Sequence, residues 1–151
     1  MLRKKWVYDF ICIVLVLNYF YEGIHKLAYL DVYGFWITHA PVIKKFGFIL
    51  KYAVPISEIM IAVLLFIPKA RKVAFIASIL MQIGFILWVM SVYLFTGYLF
   101  WPYHALWDNP TWMQKMVYGL ILAWMALTGT LISGREIRSN EKIKVLKNEP
   151  V

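Results

Sequence analysis

Residues 73–107 read VAFIASILMQIGFILWVMSVYLFTGYLFWPYHALW, 35 positions without a single Asp, Glu, Lys or Arg. A helix rising about 1.5 Å per residue crosses a hydrocarbon core of about 30 Å in about 20 apolar residues. The stretch is therefore a membrane span with length to spare, and the span is expected over 73–96. Working back, Lys69, Arg71 and Lys72 mark a short basic connection. Before it lies a second apolar run, about 49–68, with Pro55 and Glu58 inside. A run at about 6–27 follows Arg3, Lys4 and Lys5, with Asp9 near its start and Glu22, His25 and Lys26 near its end. A last run covers 112–134 and is uncharged from Met116 onward. A basic start before an apolar stretch also fits a secretory signal peptide. However, Asn18-Tyr19-Phe20-Tyr21 offers no small-residue cleavage site, so an uncleaved anchor is expected. The fold class that follows is all-α: one four-transmembrane-helix bundle over residues 1–134, with a basic tail at 135–151.

Composition agrees. Hydrophobic residues are 62% and charged residues 16% of the chain, against roughly 45–50% and about 25% in soluble domains. A water-soluble fold of 151 residues could not hide that much apolar surface. Soluble, disordered and disulfide-built secreted classes are excluded. The net charge of +8 comes from basic residues at helix ends and does not call for nucleic acid. The clusters at 3–5 and 69–72 and the tail residues Arg135, Arg138, Lys142, Lys144 and Lys147 fall on one side. Only Lys26, Lys44, Lys45, Lys51 and Lys115 fall on the other. The positive-inside bias then puts both termini in the cytoplasm, in a multi-pass protein of the inner membrane. His25, His39 and His104, with Trp36, Trp101, Trp107 and Trp112, lie toward the outside. Between the first two spans, Gly34, Pro41 and Gly47 interrupt an amphipathic stretch. That stretch is expected as interfacial pieces and not one clean helix. The connection from Gly97 to Asn109 is expected to dip back over the bundle.

An ionisable group at membrane depth is a functional candidate by default. Glu58 lies 10 residues before Lys69, which places it about 15 Å from that boundary, near mid-bilayer. Gln82 and Trp124 reach similar depth, and Asn18 sits slightly further out. These four are expected to converge inside the bundle, because hydrocarbon offers polar groups no other partner. Glu58 then reads as a proton acceptor, a partner for a quinone head group, or a structural acceptor joining helices; the last is the common use of polar residues in bundles. Glu22, His25 and Lys26 form a second, outer cluster. Glu22 and Lys26 are spaced to pair on one helical face, while Lys26 could instead lean toward Glu58. No metal is expected, since the histidines lack ligand spacing. Cys12, the only cysteine, reads as a small buried hydrophobe.

Several short motifs resemble the DoxX/MauE-like membrane proteins, the latter named for methylamine utilisation. They are Gly23-Ile24-His25-Lys26-Leu27, Asp31 to Phe35, Ala40-Pro41-Val42-Ile43, and Val54-Pro55-Ile56-Ser57-Glu58 opening into Ile61 to Leu65. Pro68 to Arg71, Ser78-Ile79-Leu80-Met81 and, more weakly, Thr111 to Gln114 continue the match. The resemblance singles out Gly23, Lys26, Pro55 and Glu58. It implies a four-helix bundle linked to electron transfer or disulfide chemistry outside, with thioredoxin-like partners. Many MauE-like members carry cysteines in the last outer loop; here Tyr98 to His104 has none. Thiol exchange needs an attacking thiolate and a sulfur to attack, so that chemistry is not carried over. No catalytic residue is identified. The expectation is a non-catalytic accessory or assembly subunit of a redox or envelope-maturation system, without a cofactor, beside lipid and a thioredoxin-like or oxidase partner. The alternative is a quinone-interacting oxidoreductase subunit using Glu58 and Gln82, with a small carrier or channel third.

Overall fold

The computed structural model describes residues 2–40, 42–96 and 112–147. The connection at 97–111, with Trp101, His104, Trp107 and Asp108, lies outside the described residues, so its expected dip over the bundle does too. The described residues are nearly all helical, with no strand among them: α1 (Leu2–Ala28), α2 (Leu30–His39), a 3-10 turn (Lys44–Phe46), α3 (Gly47–Phe66), α4 (Arg71–Thr96) and α5 (Trp112–Lys147). Four of these helices contain stretches long and apolar enough to cross a membrane: Trp6–Ala28, Lys44–Phe66, Arg71–Phe95 and Met116–Gly134. In lipid a helix satisfies its own backbone groups, whereas an open strand could not. The chain is a multi-pass membrane protein. α5 runs past Gly134 to Lys147 without a break.

The four long helices form a ring in chain order. α1 packs most extensively on α3 and α4 on α5, while α3 on α4 and α1 on α5 close the circuit. α1 and α4 face each other diagonally, and side chains bridge them. Tyr8 meets Phe75 edge-on with ring centroids 5.7 Å apart. Arg71 faces Asp9 at 3.4 Å and donates from Nε to the Leu65 carbonyl at 3.0 Å. These contacts fasten the start of α1 to the α3–α4 turn. The core between them is Ile11, Cys12, Leu15, Ile61, Leu65 and Ala126, with Phe75 fully buried.

The outer surface inverts the pattern of a soluble protein. Phe10, Ile13, Leu17, Phe66, Leu80 and Leu94 are exposed apolar side chains on one span after another. Lipid is as apolar as these groups, so close packing and hydrogen bonds hold the helices to each other. Glycine permits two tight contacts. At Gly23 a Cβ would lie 2.7 Å from the Ile59 side chain and 2.9 Å from the Pro55 carbonyl oxygen. At Gly129 a Cβ would land on the Phe75 ring.

The connection between the first two spans is in pieces, as its glycines and proline suggested. α2 packs on α1 and α3, burying Tyr33, Gly34 and Ile37. Beyond it Val42 takes φ 71, the left-handed region that a β-branched residue rarely adopts. The 3-10 turn and α3 follow. Pro55 sits inside α3 without ending it, and the Ser57 hydroxyl donates to the Val54 carbonyl at 2.7 Å.

Candidate functional site

Below α2 the four spans enclose a cavity of about 370 Å³. Its polar residues come from every span: Asn18, Tyr19, Glu22 and Lys26 from α1, Glu58 from α3, Gln82 from α4 and Tyr118 from α5. Its remaining walls are apolar or aromatic, with Tyr33 and Ile37 from α2, Val54 from α3, and Phe85 and Trp88 from α4. The volume falls in the range of small-molecule sites, which are mostly apolar with a few placed polar groups.

The charged part is a triad. The Lys26 ammonium donates to Glu58 Oε1 and lies 3.2 Å from Glu22 Oε2. Only 14% of the Lys26 side chain and 8% of the Glu58 side chain are exposed. Two costly charges thus become one satisfied pair, and Glu22, one turn before Lys26 on the same face, completes the set. The two ways of pairing Lys26 both occur together. One atom stays unmatched: Glu58 Oε2 is buried with no hydrogen-bond partner, a condition that costs about 1–3 kcal/mol.

Two further links surround the triad. Gln82 Nε2 donates to the Tyr19 hydroxyl at 3.1 Å, and that hydroxyl donates to the Ser78 carbonyl at 3.4 Å. The Tyr118 hydroxyl donates to Asn18 Oδ1. The first link ties α1 to α4 and the second ties α1 to α5.

Glu58, Gln82 and Asn18 all line this cavity. Trp124 does not: it is 71% exposed on the outer face of α5. Leu122 and Ala126 face inward, and a position two residues from either is turned by about 200° at 3.6 residues per turn. Depth alone misplaced it. The outer cluster also divides. Glu22 and Lys26 join Glu58, while His25 stacks between Tyr21 and Tyr29, with ring centroids 5.7 and 4.6 Å away. Gly23 and Pro55 meet in a tight α1–α3 contact, three residues before Lys26 and Glu58 respectively.

Tyr19 and Tyr118 were not singled out from the sequence as site residues. The signal that marks them is their place inside an apolar span, where a phenolic O–H must find a partner. Among the described residues, no three His, Cys, Asp or Glu side chains group to hold a metal ion. Chemically, the arrangement offers a mostly apolar pocket with two carboxylates, one ammonium and one open carboxylate oxygen.

A family model described as methylamine utilisation protein MauE matches residues 4–99, which takes in α2, α3 and α4 and nearly all of α1. No curated protein and no solved structure matches the chain.

Proposed function

The chain belongs to the methylamine utilisation protein MauE family, and from that membership we propose that it is a non-catalytic accessory or assembly subunit of a redox or envelope-maturation system. Methylamine utilisation, in the family's name, is the first system this reading points to. The subunit sits in the inner membrane with both termini in the cytoplasm, and its outer connections meet a thioredoxin-like or oxidase partner. Large aromatic side chains in those connections need lipid or protein cover.

One observation carries the reading. The single sulfhydryl, Cys12, is 4% exposed within the α1 core, and disulfide exchange needs a second sulfur and access to it. The thiol chemistry of such a system therefore belongs to the partner. Affinity purification from gently solubilised membranes tests this. A thioredoxin-fold or oxidase subunit is expected to co-purify equally with the wild type, Cys12→Ala and Glu58→Gln. Dithiol or quinol oxidation by the purified chain alone would overturn it.

A further inference from the structure

We infer that the cavity below α2 is a binding site for a membrane-borne amphiphile whose head group donates a hydrogen bond, O–H or N–H, to Glu58. Four observations lead there. First, Glu58 lines the cavity and its Oε2 is buried without a partner, while Oε1 is held by Lys26. A buried acceptor left open is completed by a donor. Second, the triad sets two carboxylates against one ammonium, so a head group that brings a positive end of a dipole, or a full positive charge, is favoured over one that brings lone pairs. Third, the phenolic hydrogens of Tyr19 and Tyr118 are already engaged, Tyr19 donating to Ser78 and Tyr118 to Asn18. Fourth, the rest of the wall is apolar and aromatic, which suits a hydrocarbon or ring body.

Access fits a ligand that arrives through the bilayer. Gly84 of α4 lines the cavity, is exposed, and has no atom within 4 Å of where a Cβ would stand. α2 packs on α1 and α3 but, among the described residues, makes no comparable contact with α4. Among the described residues the wall therefore leaves open space at Gly84, on the α4 side. The chemistry common to all occupants is the donor head. A hydroxyl-bearing aromatic such as a quinol and a lipid with an amine or hydroxyl head are its two natural sources.

The test uses full-length protein in phosphatidylcholine nanodiscs, whose head group has no donor, titrated calorimetrically with 4-hexylphenol and with its methyl ether, 4-hexylanisole. The phenol is expected to bind at least about tenfold more tightly, the worth of one donor on a buried acceptor. Glu58→Gln should narrow that gap. Gly84→Phe, whose Cβ meets no atom within 4 Å, should abolish binding of both probes while the fold is kept, so the outcome does not rest on the triad variant folding. Native mass spectrometry of protein taken from its own membrane separates the sources: a retained quinol, or a retained lipid with an amine or hydroxyl head, supports the site and identifies the occupant. Equal affinity for the two probes, unchanged phenol binding in Gly84→Phe, or retention of donor-free molecules alone overturns it.

Discussion

Gly23 lies so close to Pro55 that a Cβ at position 23 would stand 2.9 Å from the proline's carbonyl oxygen, and the ion pair between Lys26 and Glu58 forms beside that contact. The residues that set the helix spacing and the residues that carry charge are thus neighbours on the same two helices. A wider crossing would leave Glu58 without its cation, while Lys26 would keep only Glu22 of its own helix.

Lys26→Met should be the most damaging single change at the site. It leaves Glu22 and Glu58 without their shared cation, and breaking a buried pair from one side costs about 3–5 kcal/mol. The double variant Lys26→Met with Glu58→Gln should recover part of that loss. Thermal unfolding in detergent measures both. By contrast Asp9→Asn should cost no more than about 1 kcal/mol, because Asp9 keeps 44% of its side chain exposed at 3.4 Å from Arg71.

Tyr118→Phe removes the hydroxyl that donates to Asn18. Interhelical hydrogen bonds in membranes are worth about 0.6 kcal/mol on average and up to about 1.7. The variant should fall within that range. Combined with Asn18→Leu, the two losses should be less than additive in a double-mutant cycle.

Two glycines should respond in opposite ways to alanine. Gly129→Ala drives a methyl into the Phe75 ring and should destabilise by about 1–3 kcal/mol through overpacking. Gly84→Ala meets nothing within 4 Å and should stabilise, by up to about 1 kcal/mol of helix propensity. Melting temperatures of the two variants, compared side by side, check the pair.

The proposed orientation makes a labelling prediction. On a Cys12→Ala background, a cysteine at Asn109 should react with an impermeant maleimide added from outside, and one at Ser139 should react only after the membrane is opened. The reverse pattern would place both termini outside and move the partner surface with them.

Much of the bundle is legible in the sequence, because the bilayer imposes its thickness on the chain. The uncharged run after Val73, the basic clusters at 3–5 and 69–72, and the breakers Gly34, Pro41 and Gly47 locate four crossings and a fragmented connection. The site was legible only in part. Glu58 and Gln82 stand out because a carboxylate or amide in hydrocarbon is conspicuous, whereas Tyr19 and Tyr118 hide among many aromatics. Trp124 shows where depth arithmetic fails: rise along the axis says how deep a residue lies and nothing of which way it points.

By itself, then, the sequence determined the medium, the helical class and the identity of the buried acid, since each follows from solvation along a single segment. Only the tertiary structure decided that Lys26 joins Glu22 and Glu58 at once, that His25 stands apart from them, and that a cavity remains beside the triad. Those facts depend on the rotation and spacing of helices about one another, which close contacts such as Gly23 against Pro55 and Gly129 against Phe75 fix and no single segment encodes.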